Sequence, residues 1–398
     1  MAEPGVESIE KAELVVGLVP ASQNAEVIER GIAPILKLIP PAPAVLIHPP
    51  YTSSGTEAIQ DTQWRLIADP DLAPDRTAVP RSLGESAHTI FDRARALGAR
   101  ACAIIVSEPL VATADWPALL LQLVVEEGFD LVAPCYALHQ FDGMINRAFA
   151  YPLTRALYGK RIRNPLGPDF GVSGALLERM AAGNHARSNP LASLTSEAVT
   201  SGMKVCQAHL GERVSGATDW SNLSSLLVQV LGPLFLDVER NAAHWQRARA
   251  SEPVPEYGER KFLAAPGSPV DVTRLIESFR LGARNLPEIW GTILPPSTLV
   301  ELGRLTRQEG TAFRMPDETW ARVVYDFALA HRLRTISRDQ MLRAITPIYL
   351  GWLASYALEV EGARPEMVER KLEGLCAAYE NTKPYFVSRW RWPDRFNP

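Results

Sequence analysis

The sequence predicts an α/β protein, in which a doubly wound, mostly parallel sheet is followed by an all-helical C-terminal region. Up to about residue 231, short apolar runs alternate with stretches of helical periodicity, and the connections between them are short. This alternation is typical of βα units in a parallel sheet. Beyond that point only helical periodicity continues. We therefore expect two domains, residues 1–232 and residues 233–398.

Composition and charge exclude several classes of function. The chain has 398 residues, of which 46% are hydrophobic and 22% charged, as in ordinary globular proteins. The net charge of −4 gives no reason to expect a nucleic acid partner. No apolar run reaches the roughly 18 residues of a membrane span, and the acidic start lacks the pattern of a signal peptide. The four cysteines lack paired spacing, so we expect reduced thiols and a cytoplasmic protein without a membrane partner.

The elements of the first domain follow from short apolar runs and amphipathic stretches. The predicted strands are residues 13–19, 44–47, 101–106 and 130–133, with residues 203–210 as an edge strand. The predicted helices are a first one carrying Ile28, Ile32 and Ile35, then residues 82–97, 116–126, 176–182 and 194–201. The first strand ends at Pro20, and Asn24 could cap the helix that follows.

The second domain is predicted to be helical throughout. Its helices are residues 233–249, 272–281, 296–308, 317–333, 338–359 and 365–379. Asp317 and Ser337 are residue types that cap helix starts. Residues 251–269 are rich in Pro and Gly and are interpreted as a linker.

One strand end is the best placed for a ligand site. The apolar run of residues 101–106 ends abruptly in Ser107-Glu108-Pro109. In open α/β sheets, ligands lie beyond the carboxyl ends of the parallel strands. Ser107 and Glu108 are therefore candidate site residues, although a solvated acid at a strand end is an equally simple explanation of Glu108.

A basic segment marks a second candidate region. Arg155, Lys160, Arg161 and Arg163 precede a turn that contains Gly167 and Asp169. Arginine recognises planar carboxylates and phosphates through paired N–H donors, so this segment could bind a small anion. Surface ion pairs or a subunit contact would explain the same residues.

Several segments resemble one family of enzymes. The motifs are YPLTRALYG at 151–159, PLGPDFGVSG at 165–174 and KVCQAHLGER at 204–213, together with residues 315–359. They resemble the glucosylglycerate synthase type of glycosyltransferase, related to the retaining synthases of mannosylglycerate and glucosyl-3-phosphoglycerate. The resemblance implies a GT-A fold, a nucleotide-sugar donor, a glycerate-like acceptor, and Mg²⁺ or Mn²⁺. It also implies a homodimer formed by the helical C-terminal region.

The resemblance assigns candidate roles without naming a catalytic residue. The candidates for binding the donor and metal are Pro20, Asn24, Ser107 and Glu108, with Glu108 as the metal ligand. The candidates for binding the acceptor are His139, Asp142, Arg161, Arg163, Gly167 and Asp169. Turn geometry is the alternative explanation for Asp142 and Asp169 of this second set.

The chain departs from the family pattern around the donor. Val106-Ser107-Glu108 stands where the family has Asp-x-Asp, and the loop after the second strand has His48 in place of an Asp. The approach to the helix near residue 84 has Glu85 where the family has Gly-rich sequence and a Lys. The motif that ends at Arg213 continues with Val214-Ser215, not with the family's metal-binding His. A further acidic position is occupied by Leu191.

These departures leave three hypotheses. Mg²⁺ and Mn²⁺ need hard oxygen ligands, so the loss of an Asp and a His weakens the predicted metal site. The protein could still be an active transferase if Arg and Lys replace the cation. It could instead be a pseudoenzyme that binds an acceptor-like metabolite or pairs with an active homologue, or it could carry out a changed reaction on another anion. Metal binding discriminates between the ordinary form of the first hypothesis and the second.

Overall fold

The computed structural model describes residues 11–20, 25–50, 63–72, 83–107, 115–182, 189–213, 222–261 and 270–393. The chain divides into two compact units. Unit 1 comprises Met1–Tyr136, Arg163–Val214 and Val254–Arg260, and unit 2 comprises Ala137–Ile162, Ser215–Pro253 and Lys261–Pro398. Each unit is therefore assembled from separate stretches of the sequence.

The secondary structure alternates in the first half of the chain and is mainly helical in the second. The strands are β1 (Leu14–Pro20), β2 (Ala44–His48), β3 (Trp64–Ala68), β4 (Ala101–Ser107), β5 (Leu131–Ala137), β6 (Lys160–Arg161), β7 (Phe170–Ser173), β8 (Val205–Glu212), β9 (Glu252–Pro253) and β10 (Glu256–Tyr257). The helices of the first half are α1 (Ala25–Leu36), α2 (Leu83–Ala96), α3 (Asp115–Val125), α4 (Tyr151–Tyr158), α5 (Gly174–Ala182) and α6 (Pro190–Thr200). The later helices are α7 (Leu223–Arg240), α8 (Ala242–Trp245), α9 (Val272–Asn285), α10 (Pro287–Ile293), α11 (Pro296–Leu305), α12 (Asp317–Leu333), α13 (Arg338–Ala344), α14 (Thr346–Val360) and α15 (Pro365–Arg391).

Unit 1 is built on one mixed sheet. Eight strands of the described chain lie in the order β10-β8-β5-β7-β4-β1-β2-β3. β1 pairs in parallel with β2 and β4, and β2 pairs in parallel with β3. β7 runs antiparallel between β4 and β5, so those two strands point the same way. The six consecutive residues Leu14–Val19 of β1 are all buried, which is expected of a strand covered on both faces.

A glycine allows a helix to lie close against the centre of this sheet. Gly17 is in the middle of β1, and a Cβ atom built on it would lie 2.2 Å from the Ile90 side chain of α2. Atoms that are not bonded to each other do not approach so closely, so β1 needs glycine at this position for α2 to pack on it. Ile90 itself is completely buried.

Unit 2 is a helical assembly with an aromatic core. Its longest helix, α15, has 27 residues. Phe149, Trp320, Tyr349 and Trp352 are buried together, with ring centroids between 5.0 and 6.2 Å apart in successive contacts. The indole of Trp320 donates a hydrogen bond to the Ala148 carbonyl at 3.0 Å, so its polar group is satisfied inside the core.

The predicted fold class is confirmed, since a mostly parallel sheet is followed by a mainly helical region. Several details of the prediction are wrong. β3, β7 and α10 were not predicted, and β8 is not an edge strand, because β10 pairs with its outer side. Part of the predicted linker forms β9 and β10, while residues 262–269 of it lie outside the described residues.

The C-terminal helices also differ in detail from the prediction. The predicted helix 338–359 is two helices, α13 and α14. Asp317 lies in the first turn of α12 and accepts hydrogen bonds from Lys371, while Ser337 occupies the cap position of α13 without a capping hydrogen bond from its side chain. The predicted domain boundary after residue 232 falls inside α7, and the division at that point stays a prediction. None of the helices in the described ranges combines the length and apolar character that crossing a bilayer requires.

Candidate functional site

The carboxyl edge of the sheet brings two of the predicted donor-side positions together. Pro20 ends β1 and Ser107 ends β4, and the two are directly paired in the parallel register. Their neighbours Asn24 and Glu108 lie outside the described residues, as do Val214 and Ser215. The edge formed by β1 and β4 is therefore where a ligand of an open α/β sheet is expected.

A buried carboxylate joins four chain segments at this edge. Asp169 immediately precedes β7 and is completely buried. Its Oδ1 accepts a hydrogen bond from the backbone N–H of Val106 at 2.8 Å. Its Oδ2 accepts from the hydroxyl of Tyr136, near the end of β5, and from the guanidinium of Arg213, directly after β8. We call these residues, Val106, Tyr136, Asp169 and Arg213, the Asp169 cluster.

The cluster is held by charge as well as by hydrogen bonds. The guanidinium carbon of Arg213 lies 5.2 Å from the centroid of the Tyr136 ring, a cation–π distance. Burial raises the pKa of Asp169 above its ordinary value, and the positive charge of Arg213 opposes that rise. Burial and the neighbouring carboxylate raise the pKa of Tyr136 well above its ordinary value, so its hydroxyl keeps its proton and acts as a donor.

The loop before Asp169 is fixed against the middle of β5. The N–H of Gly167 donates to the Asn164 carbonyl at 3.0 Å, and the Asn164 amide donates to the Pro134 carbonyl at 3.1 Å. A Cβ atom on Gly167 would lie 2.4 Å from Pro134, so glycine is required for this close approach. The predicted Gly167 position therefore shapes the loop that delivers Asp169 to the edge.

The four basic residues of the segment 155–163 have different environments. Arg155 is buried in unit 2 and forms ion pairs with Glu373 at 2.7 Å and Glu380 at 2.9 Å. Lys160 and Arg161 belong to the same unit, and Lys160 is half-buried while Arg161 is exposed. Lys160 forms an ion pair with Glu252, and the Arg161 guanidinium donates to the Ser251 hydroxyl at 3.1 Å. For Arg155 and Lys160 the structure thus shows ion pairs, the alternative explanation of these residues.

Arg163 belongs to unit 1. Its backbone N–H donates to the side-chain oxygen of Gln207 at 2.5 Å, and Gln207 is fully buried on β8. The Gln207 amide in turn donates to Glu256 at 3.2 Å. Arg163 is therefore anchored through its backbone to the same sheet that carries the Asp169 cluster.

His139 and Asp142 share a turn in unit 2. The N–H of Asp142 donates to the His139 carbonyl at 3.0 Å. The Arg147 guanidinium donates to the His139 and Gln140 carbonyls at 3.1 and 2.9 Å, and the hydroxyl of Tyr356 also donates to Gln140. The turn is therefore fixed by side chains from two helical segments.

The described residues do not fit a divalent metal ion. No group of three or more His, Cys, Asp or Glu side chains is gathered in metal-binding geometry anywhere in the described ranges. At the carboxyl edge, both oxygens of Asp169 already accept hydrogen bonds, and Val106 offers an apolar side chain. The predicted ligand Glu108 lies outside the described part of the chain.

The sequence analysis missed Tyr136 and did not single out Arg213 as a site residue. The strand that became β5 was predicted to end at Ala133, in front of Pro134, so Tyr136 was not placed at a strand end. Arg213 is the last residue of one of the motifs that carry the family resemblance, and this was the available indication of its importance.

Comparison with known proteins gives likenesses among solved structures. No protein-family model matches the chain, and neither does any curated protein. The matches include glucosyl-3-phosphoglycerate synthase from Mycobacterium tuberculosis. Its crystal structure with Mn²⁺, UDP and glucosyl-3-phosphoglycerate is 20% identical, with a TM-score of 0.42, and the match covers 60% of this chain and 86% of that one.

Two further structures illustrate the range of these likenesses. The complex of the same enzyme with Mn²⁺, UDP-glucose and phosphoglyceric acid has 20% identity and a TM-score of 0.42, with 68% of this chain and 94% of that chain covered. A structure described only as a mycobacterial protein has 17% identity and a TM-score of 0.42, with 67% of this chain and 86% of that chain covered.

Proposed function

We propose that this chain is a glycosyltransferase that transfers a hexose, with retention, from a nucleotide sugar to a glycerate-type acid. The observation that carries the proposal is the meeting of Tyr136, Asp169 and Arg213 at the carboxyl edge of β4. This is where ligands of open α/β sheets bind, and two of the three residues come from the motifs that resemble the family. The proposed donor-side residues are Pro20, Asn24, Ser107 and Glu108.

Within this proposal the Asp169 cluster orients the donor site. Asp169 holds the Val106 amide and thereby fixes the direction in which the chain leaves β4. Because its carboxylate is buried and already accepts three hydrogen bonds, we assign it a positioning role and no direct contact with the acceptor. Arg213 supplies positive charge beside the expected position of the diphosphate.

The proposed transfer exchanges one bond at the anomeric carbon for another. The bond from that carbon to the phosphate oxygen breaks, and its electron pair leaves with the nucleoside diphosphate. The acceptor hydroxyl forms the new bond and gives its proton to the departing phosphate. Since the described residues do not fit a metal ion, no step is assigned to one.

On the acceptor side, the proposal uses the predicted residues of unit 1. The Arg163 side chain would pair with the acceptor's carboxylate, beside the turn that contains Gly167. The other predicted acceptor residues, His139, Asp142 and Arg161, belong to unit 2 and stay predictions. A cytoplasmic location and a homodimer complete the proposal.

A second candidate function is a pseudo-glycosyltransferase that binds, regulates or stabilises a partner. It is favoured by the ion pair between Arg213 and Asp169, because the carboxylate offsets the positive charge that the proposal places beside the diphosphate. It is also favoured by Val106, which replaces a metal-binding Asp of the family. Such a protein would keep its core and its helical unit while lacking turnover.

Titration calorimetry with UDP-glucose and GDP-mannose, followed by a turnover assay, tests both candidates. We expect one of the nucleotide sugars to bind, and nucleoside diphosphate to be released when glycerate or 3-phosphoglycerate is added. Binding without release under any acceptor would support the pseudoenzyme. If neither nucleotide sugar bound with or without Mg²⁺ and Mn²⁺, the transferase proposal would be wrong.

A further inference from the structure

Three short segments of unit 2 carry arginine but no acidic residue. They are residues 240–250, 331–338 and 388–393, which contain three, three and two arginines and neither Asp nor Glu. The chain as a whole has 45 acidic and 41 basic residues, so its overall charge conceals this local excess. Positive charge gathered in this way attracts a partner of the opposite sign.

The fold brings the three segments together where α12 and α15 end. The Arg332 guanidinium donates to the Trp390 carbonyl at 2.7 Å, and its carbon lies 4.4 Å from the centroid of the Trp390 ring. The Trp390 ring in turn lies 5.2 Å from the ring of Trp245. The Arg391 guanidinium donates to the Gln246 side chain at 2.7 Å. We call the three joined segments the basic patch.

Acidic side chains neutralise only part of the basic patch. Arg338 pairs with Glu239, and Arg389 pairs with the buried Asp326. Five other arginines of the patch form no ion pair with any residue in the described ranges, and these are Arg247, Arg249, Arg332, Arg334 and Arg391. The five residues after 393 contain one Asp and one Arg, so they leave the excess of charge unchanged.

Two histidines of the patch report the same positive field. Burial lowers the pKa of His244, and the charges of Lys383 and Arg247 lower it further. Burial also lowers the pKa of His331 to about 4, and two arginines of its own segment add to the effect. Neither pKa is raised by a carboxylate among the described residues, as it would be if acidic side chains balanced the patch.

One arginine of the patch has an unfavourable backbone conformation. Arg334 ends α12 with a φ of 56°, and among the described residues it is the one residue other than glycine with a positive φ. Glycine is the usual residue at such a helix end, because it adopts this conformation without steric cost. An exposed arginine where glycine would be less strained indicates a use for its charge.

Exposed apolar side chains lie among these charges. Leu333 is 42% exposed between Arg332 and Arg334, and Trp392 is 59% exposed immediately after Arg391. Tryptophan suits the boundary between lipid headgroups and acyl chains, because its ring is apolar and its N–H is polar. Arginine places its apolar stem along the same boundary and keeps its charge among the phosphates.

We propose that the basic patch docks on a membrane surface that contains anionic phospholipids. The arginines contact the charged headgroups, while Trp392 and Leu333 enter the outermost part of the acyl layer, and the chain does not cross the bilayer. Leu333 favours a bilayer over a nucleic acid, because an aliphatic side chain has no flat face on which a base can stack. The inference does not depend on the proposed transferase function, whose donor edge is in unit 1.

Sedimentation of the full chain with lipid vesicles tests the inference. Vesicles of phosphatidylcholine with about one-third phosphatidylserine should bind the protein, and vesicles of phosphatidylcholine alone should not. Raising the salt concentration from about 0.1 M to about 1 M should release it, since the screening length falls to about 3 Å. The triple variant Arg247→Gln, Arg334→Gly, Arg391→Gln should bind about a hundredfold more weakly, at about fivefold for each arginine.

Arg334→Gly by itself separates membrane binding from folding. Glycine relieves the strain at this helix end, so the variant should melt at or above the temperature of the unaltered protein while its binding falls about fivefold. The matched control is the triple variant Arg274→Gln, Arg284→Gln, Arg304→Gln. It removes the same charge from exposed positions of α9 and α11 and should bind the vesicles normally. Circular dichroism establishes that each variant is folded.

Several results would overturn the inference. They are a failure of the unaltered protein to bind phosphatidylserine vesicles, normal binding by the triple variant of the patch, and equal weakening by the control variant. Retention of an RNA oligonucleotide or of polyglutamate by protein that ignores the vesicles would assign the patch to another partner and would overturn the inference as well. None of these results bears on the transferase proposal, which is tested by nucleotide-sugar binding.

Discussion

Asp169 shows how one buried charge can organise a site. The carboxylate is removed from water, and three donors compensate for the lost hydration. Removing one member of such a pair is costly, because it leaves the partner's charge buried without compensation. The residue therefore contributes to the stability of the fold and to the geometry of the candidate site at the same time.

We expect Asp169→Asn to lower the free energy of unfolding by about 3 to 5 kcal/mol, because Asn fills the same space without the charge that Arg213 requires. Urea unfolding followed by circular dichroism measures this change. Asp339→Asn is the control, since it makes the same substitution in the pair with Arg343, whose two side chains are 59% and 47% exposed. It should cost much less, and equal losses in the two variants would contradict our account of Asp169.

His331 is a buried histidine without a compensating charge. It is 3% exposed in α12, where its ring packs 5.9 Å from that of Phe235. Its Nδ1 has no hydrogen-bond partner among the described residues. Burial, reinforced by the positive charges of Arg338 and Arg334, lowers its pKa from 6.5 to about 4.

This shift predicts a loss of stability in acid. Between pH 6.5 and about 4 the unfolded chain binds a proton that the folded chain does not, so the stabilisation present above pH 6.5 is lost as the pH falls. The loss should reach about 3 kcal/mol. Thermal melts from pH 8 to pH 4 measure it. In His331→Gln the midpoint should fall less steeply with pH, and parallel curves would refute this role of His331.

At the scale of elements, α15 fastens the helix α4 by charged contacts. Glu373 and Glu380, two turns apart on α15, bind the Nη1 and Nε atoms of the buried Arg155 of α4. Lys383 follows on the same helix and is 6% exposed. Its ammonium group donates to the Ala156 carbonyl at 2.7 Å, near the end of α4, and to the Ala248 carbonyl at 2.6 Å.

Lys383 therefore satisfies the Ala156 carbonyl, which the end of α4 leaves without a partner in the helix, and the Ala248 carbonyl as well. In Lys383→Met these carbonyls would stay buried and unbonded, and we expect the free energy of unfolding to fall by about 2 to 4 kcal/mol. Chemical unfolding measures the change. Arg370→Met, at an exposed position of α15, is the matched control and should be nearly neutral. A Lys383 variant as stable as this control would show that the contacts contribute little.

The elements differ in how far a sequence can reveal them. β1 and β4 were predicted because continuous apolar runs are typical of buried parallel strands. β7 was not predicted, since it has four residues, one of which is a glycine. A Cβ on that residue, Gly171, would lie 2.7 Å from the Leu120 carbonyl, so close packing replaced the usual β-branched side chain.

The candidate site could be predicted only in part, because it depends on contacts between residues that are far apart in the sequence. Asp169 could be suspected from its motif, because the turn residues around it are local in sequence. Its contact with Arg213 joins residues 44 positions apart, and no local periodicity reports such a pairing. Glu108, the metal ligand that the resemblance implies, lies outside the described residues and stays a prediction.

At the scale of the whole molecule, the chain passes repeatedly between the two units. Unit 2 needs residues 137–162, which contain α4, in addition to the later helices. It also needs all of α7, in which Leu231, Leu234 and Phe235 are fully buried. A sequence reading that assigns domains by where strand patterns stop cannot detect that earlier segments complete the helical core.

This interleaving predicts how fragments of the chain will behave. Residues 233–398 alone should not unfold cooperatively, because cutting at residue 232 splits α7 and omits α4. Residues 215–398 mixed with a peptide of residues 137–162 should regain cooperative melting by circular dichroism, since together they supply unit 2. The same peptide added to residues 233–398 should restore less. Cooperative melting of residues 233–398 without the peptide would instead establish the boundary at 232 as that of an independent domain, and would show that α4 and the first half of α7 are dispensable to the helical core.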